Sequence, residues 1–205
     1  MQLLRALLQS AVLSGRVSAL IVFGAFSLFM VFHFARMTQV RGISNYRDSL
    51  SFWGVFLSLI FGVFVPLCVW RRWGDVSGLA PQPVLALAGI IGSVMCFMAL
   101  SFVVWGFLTL GPAGYAQARL DRGAQLRTDG PYQFVRHPVY FGLGLLFVGA
   151  GLAGLSWWAL AAGLLWWPLA FWRARMEENL LRQAFGHRFD EYALKVPTLF
   201  PKFHK

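Results

Sequence analysis

The sequence predicts an all-α integral membrane bundle of about five transmembrane helices, the last two forming a hairpin, followed by a polar C-terminal helix. Three observations carry that prediction. Of 205 residues, 58% are apolar and only 13% are charged, far from the balance of a water-soluble domain. The apolar residues fall into runs long enough to cross about 30 Å of hydrocarbon. The ionisable residues are gathered into a few polar segments between those runs.

The net charge of +10 does not point to nucleic acid. In a membrane chain Lys and Arg collect in cytoplasmic loops and report orientation, so no nucleic-acid partner is expected. Cys68 and Cys96 lie within apolar runs, without CxxC or metal-ligand spacing, and read as small core residues. No metal-binding cluster is evident. The chain does not open on a short apolar run with a small-residue cleavage site, so a removed signal peptide is not expected.

In chain order, residues 1–15 place Leu3, Leu4, Leu7, Leu8, Ala11 and Val12 at helical spacing, away from Arg5 and Gln9. That pattern suits either an interfacial helix or a lead-in to the first span. Spans follow at 17–34, 51–70 and 84–110, the third long enough to tilt or project. Residues 1–110 thus form an N-terminal membrane region of three spans, and 111–205 a second region, to which the resemblance given below assigns cofactor binding and catalysis. The longest polar stretch, 111–137, carries Arg119, Asp121, Arg122, Arg127, Asp129 and Arg136, and functional residues tend to live in such segments. Two short apolar runs, 139–154 and 156–172, form the hairpin around Gly154-Leu155-Ser156. Gly149 with Ala153, and Ala150 with Gly154, have the small-xxx-small spacing expected to bring its arms together. A polar helical tail starts at Arg173 and ends at Pro197 and Pro201.

Five crossings put the termini on opposite sides, and the positive-inside rule selects the orientation. Segments 35–50, 111–138 and 173–205 hold three, four and seven Lys or Arg, whereas 1–16 and 71–83 hold two each and the hairpin tip none. The C-terminus, the 111–138 loop and the tail are therefore expected on the cytoplasmic face of a multi-pass protein.

Two polar groups on that face can carry chemistry. In Gly130-Pro131-Tyr132 the Gly-Pro pair forces a turn, and Pro138 fits the first turn of the next helix with His137 near its cap. A helix N-terminus presents free N–H groups and a partial positive charge, so Arg136 and His137 there make a ready anion site. They read equally as an interfacial anchor and a satisfied polar residue. Arg173 and Glu177 are spaced i,i+4, and Glu178 follows at a hydrocarbon boundary. They form either a surface ion pair or the seat of a cationic ligand. His33 lacks a second intramembrane histidine for haem. Gly142, Gly144 and Gly149 sit within a span with no preceding strand, which excludes a dinucleotide loop. Trp157, Trp158, Trp166, Trp167 and Trp172 read as interfacial belt and packing.

Leu126-Arg127-Thr128-Asp129-Gly130-Pro131-Tyr132, Arg136-His137-Pro138-Val139-Tyr140, Arg173 with Glu177-Glu178, Phe185-Gly186, Tyr192, Val196-Pro197-Thr198 and Pro201 recur here as an ordered set. Over about the last 95 residues the chain resembles the isoprenylcysteine carboxyl methyltransferase family and the related membrane phospholipid methyltransferases. The resemblance implies methyl transfer from S-adenosyl-L-methionine without a dinucleotide-type domain, the cofactor enclosed by the last helices and their loop. By position, it implies a cofactor pocket of Gln117, Ala124, Gln125, Leu126, Arg127, Tyr132, His137, Pro138, Val139, Tyr140 and Glu177, with Arg136 beside His137 on the cofactor's carboxylate. Arg173 would face a lipophilic acceptor, orienting it if it is a carboxylate. For an amine or thiol, Glu178 or His137 would serve as base. The chain departs from the eukaryotic prenylcysteine enzymes in a shorter N-terminal part, a two-acid run and Phe189 where Tyr is common. RHPxY alone also resembles sterol reductases, making an NADPH-dependent reductase the enzymatic alternative, which the Glu177-Glu178 pair disfavours by repelling phosphate. A membrane scaffold or lipid-binding protein is the non-enzymatic one.

Overall fold

The computed structural model describes residues 47–114 and 126–201 and a scatter of helical positions between 6 and 27. Among the described residues there is no strand, only an isolated bridge between Asp75 and Ser156. The elements are α1 (Arg47–Arg71), α2 (Gln82–Gly114), a 3-10 turn (Gly130–Gln133), α3 (Pro138–Gly154), α4 (Trp157–Phe185) and α5 (His187–Lys195). The expected spans 51–70 and 84–110 lie within α1 and α2. Residues 15–17, 19–21, 23, 24, 26 and 27 are helical, while the remainder of the first span and Leu3, Leu4, Leu7 and Leu8 lie outside the described residues.

Within α2, Gln82–Leu110 is 29 residues long and apolar enough to cross a membrane. Its sides differ sharply. Leu87, Ile91, Val94, Met98 and Leu108 are exposed, whereas Cys96, Ala99 and Val103 are fully buried. An apolar helix with an exposed apolar arc has hydrocarbon as its natural solvent, so the fold is that of an all-α membrane bundle.

The hairpin turn forms where the sequence marks it. Leu155 ends α3 in the left-handed region (φ 52°), and the Ser156 hydroxyl accepts from Ala159 N at 3.2 Å, capping α4. The small residues of α3, however, serve another partner than its hairpin arm. A Cβ on Gly92 would stand 2.3 Å from Ala153 N and 2.6 Å from Gly149 O, so Gly149 and Ala153 face α2. A Cβ on Gly154 would meet Val69 of α1. The hairpin arms close instead through Gly151 against Leu160 and Gly163 against Val148. The reason is that α3 is the central helix, packed by α1, α2 and α4 together, and a sequence spacing of four does not say which neighbour it faces.

The tail also differs from expectation. Its first part is no separate helix: α4 runs 29 residues without a break, through Pro168, and carries Arg173, Glu177 and Glu178 on the same rod as the apolar turns. The break comes at Gly186 (φ 54°), and α5 stops at Lys195, before Pro197.

Phe61, Phe147 and Trp166 pack ring on ring across the bundle centre, with centroids 5.2 to 5.6 Å apart, and Phe23 stacks on Phe147 at 6.0 Å. At one end of the bundle Asp75 takes Arg16 at 3.0 Å and Arg72 at 2.6 Å, while Val76 N and Trp157 N bond Leu155 O and Gly74 O. Residues 130–137 and 173–201 meet at the other end.

Candidate active site

Gly130 (φ 57°) opens the 3-10 turn, and a side chain there would run into Thr109. The turn delivers the chain to His137, which precedes Pro138 at the first position of α3, where a missing N–H costs nothing. One helical turn into α3 stands Tyr140, its ring stacked on the His137 imidazole at 5.6 Å. Trp166 Nε1 donates to Tyr140 O at 3.0 Å and fixes that turn against α4.

Across from this corner α4 presents Arg173, Glu177 and Glu178. Tyr140 donates its hydroxyl to Glu177 Oε1 at 2.5 Å, Arg173 Nη2 lies 3.0 Å from the same oxygen, and Arg173 Nε donates to the Tyr140 hydroxyl at 3.4 Å. His137 Nδ1 is 3.5 Å from Glu177 Oε2, and its Nε2 is 3.4 Å from Glu178 Oε1. That second approach is too poorly aligned for a hydrogen bond, so Nε2, though buried, has no partner. Among the described residues, Arg173 Nη1 and Arg127 Nε are also buried without a hydrogen-bond partner. A buried polar group without a partner is costly, and three at one end of a fold need a reason.

Arg136 is used differently. Its Nε donates to Glu178 Oε1 at 2.8 Å, Nη1 to the carbonyls of Ala193 (2.9 Å) and Val196, and Nη2 to Thr198 Oγ1 at 2.6 Å while lying 2.8 Å from Glu178 Oε1. Every nitrogen of the guanidinium is thereby engaged within the protein. The backbone joins in, with Arg136 N and His137 N donating to Pro197 O and Thr198 O at 2.9 and 3.1 Å. Residues 193–198 thus form a strap across the turn, and Tyr192 Oη donates to Tyr132 O at 2.6 Å beneath it.

Of the residues expected at the site, His137, Tyr140, Arg173, Glu177 and Glu178 come together in one cluster of hydrogen bonds and ion pairs. Arg136 turns to the strap. Tyr132 is buried below the strap, Leu126 packs with Phe189, Tyr192 and Val196, and Pro138 and Val139 abut the bundle near Gly106. Gln117, Ala124 and Gln125 lie outside the described residues. The strap's contribution was hidden because four of its contacts are backbone carbonyls, which no residue type betrays.

Electrostatics sharpen the cluster. Burial works against a charged His137, yet the two carboxylates facing it prevail and raise it above the ordinary 6.5. Burial likewise pushes Glu178 up, but His137 and Arg136 bring it down to about 2. For Glu177, too, burial is more than offset by His137, Arg173 and Tyr140, leaving it below the usual carboxylate range. Arg136, His137 and Arg173 therefore face the carboxylates of Glu177 and Glu178.

Residues 87–188 match the family model described as phospholipid methyltransferase. The chain belongs to this family. The phospholipid methyltransferase family takes in the isoprenylcysteine carboxyl methyltransferases, so the resemblance in the RHPxY corner and the α4 acids is that of a true member. Every residue of the His137–Glu177 cluster lies inside the matched stretch, whereas the whole strap lies beyond it. No curated protein matches the chain. Among the described residues no group of His, Cys, Asp and Glu is arranged to hold a metal ion.

Proposed function

We propose that this membrane methyltransferase uses S-adenosyl-L-methionine to methylate a lipophilic acceptor at one face of the bilayer. The observation that carries the reading is the pair of buried, unpartnered donors, His137 Nε2 and Arg173 Nη1, on either side of Glu177. A zwitterionic amino-acid head is complementary to such a site: its carboxylate suits the His137 N–H, and its ammonium, or a ribose hydroxyl, suits Glu177. When bound, the cofactor supplies an electrophilic methyl group on a sulfonium.

The chain's own task is alignment and exclusion of water, since displacement at a methyl carbon rests on geometry more than on acid–base machinery. Tyr140 and Glu177 fix the Arg173 guanidinium, whose remaining Nη1–H then orients the acceptor. Neither Glu177 nor Glu178 is a free base: one takes the Tyr140 hydroxyl and faces two cations, and the other is held by Arg136. His137, facing both, is likewise engaged, and its affinity for a proton is raised by the two carboxylates. Such a site favours an acceptor that arrives as a nucleophile already, a carboxylate above an ammonium or a thiol.

The rest of the reading is topological. The chain crosses the membrane five times, with the pocket and the C-terminus on the cytoplasmic face, the cofactor entering from water and the acceptor arriving from the bilayer. A cysteine-accessibility map that puts the tail and residues 35–50 on opposite sides would contradict it. For the chemistry, calorimetry should record binding of S-adenosylhomocysteine to the purified protein. Glu177→Ala or His137→Ala should abolish that binding in protein that still elutes and melts as a folded species. An absence of heat with either form of the cofactor overturns the reading.

A further inference from the structure

Arg136 and His137 are neighbours in sequence that both face Glu178. The carboxylate is nearly buried and accepts from Arg136 at 2.8 Å, while His137 Nε2 waits at 3.4 Å without a hydrogen bond. Only the arginine is in bonding geometry. A buried carboxylate deprived of that partner would draw the nearest N–H donor, and the nearest is His137 Nε2. We infer that Arg136 is a positioning residue: by occupying Glu178 it keeps the His137 Nε2–H free for the anionic end of the ligand.

The inference rests on the reading of His137 as a ligand donor, and it explains two features that reading leaves aside. Arg136 binds no ligand, because every nitrogen of its guanidinium is engaged. Those commitments are also what fix it. The carbonyls of Ala193 and Val196 close the C-terminal turn of α5, where a cation is favoured, and Thr198 Oγ1 holds the far edge of the fork. The strap thereby sets the arginine, the arginine sets Glu178, and Glu178 is kept off the imidazole. Lysine cannot replace this arrangement, since one ammonium cannot serve a carboxylate, two carbonyls and a hydroxyl in a planar fork.

The charged and titratable groups facing His137 are Glu177 and Glu178 on α4 and Tyr140 on α3; behind them Arg173 pairs with Glu177, Arg136 with Glu178, and Tyr192 on α5 donates to Tyr132 O. Removing the arginine charge leaves Glu178 to the imidazole alone, so the His137 pKa rises, and removing the carboxylate lowers it.

Rescue distinguishes this role from a structural one. Arg136→Gln should weaken S-adenosylhomocysteine binding at least tenfold, and the double variant Arg136→Gln with Glu178→Gln should recover most of that loss, because the competitor for the imidazole is gone. A purely structural arginine predicts that the double variant is no better than the single one, and that result overturns the inference, as does wild-type affinity in Arg136→Gln. Should Arg136→Gln not fold, Arg136→Lys with and without Glu178→Gln makes the same comparison. The His137 imidazole resonance, assigned by its loss in His137→Asn, supplies a test that needs no ligand. Its pKa should rise in the arginine variant and return in the double variant, and an unmoved pKa in both defeats the inference. If the parent protein binds no S-adenosylhomocysteine, the functional reading fails while this titration still decides the role of Arg136.

Discussion

At the scale of single residues, one hydroxyl ties the two halves of the pocket together. Tyr140 gives its proton to Glu177 and accepts from Arg173, bridging α3 and α4. Tyr140→Phe should lower stability by about 1 kcal/mol and weaken S-adenosylhomocysteine binding several-fold, measured by melting and by calorimetry on the same sample. The same cluster sets a pH window. Glu178 is depressed in the fold, so its contribution is present above the ordinary 4.5 and is lost as pH falls toward about 2. His137 is raised, so its contribution is complete below 6.5 and is lost as pH climbs through its folded value. Thermal stability should therefore peak between these limits and decline on the alkaline side, and His137→Asn should flatten that alkaline decline.

At the scale of elements, the sequence was most readable where a side chain acts on its own helix. Pro138 after His137 marked the start of α3, Leu155-Ser156 the hairpin turn, and the i,i+4 spacing of Arg173 and Glu177 their ion pair. It was least readable where an element's partner decides its role. Gly149 and Ala153 look the same from the sequence whether they face α4 or α2, and only the packing of three helices around α3 selects α2. Arg136 was legible as a cation at a helix mouth, but two of its acceptors are main-chain atoms of a strap some sixty residues away. The α2–α3 approach can be probed directly. Gly92→Leu would drive a side chain into the backbone of Ala153, and it should cost about 1–3 kcal/mol or more, read as a lower melting temperature in detergent. An unchanged melting temperature would mean that the helices part without penalty.

At the scale of the whole molecule, the bundle has two polar ends with separate duties. The Asp75 end joins Arg16, Arg72 and the hairpin tip and contains none of the pocket. Asp75→Asn should therefore lower the melting temperature, by roughly 1 kcal/mol in stability, while S-adenosylhomocysteine affinity stays as in the parent. A parallel loss of affinity would show that the two ends are coupled. The pocket end is placed by length. With 17 residues α3 spans only about 25 Å, less than the hydrocarbon it would cross. In the proposed reading, that shortness keeps the corner of His137 and Tyr140 near the level of the acyl chains, within lateral reach of a lipophilic acceptor.

The strap across the Arg136 turn has a bearing on how the protein is made. Residues 136–140 and 173–178 are synthesised before 193–198, so a nascent chain can form both arms of the hairpin while Arg136 still lacks the carbonyls of Ala193 and Val196. During that interval Glu178 and His137 have nothing to keep them apart. In the proposed reading the site is complete only once the chain beyond α5 has folded back, so a chain truncated before residue 193 would keep the hairpin and lose the contacts that set Arg136.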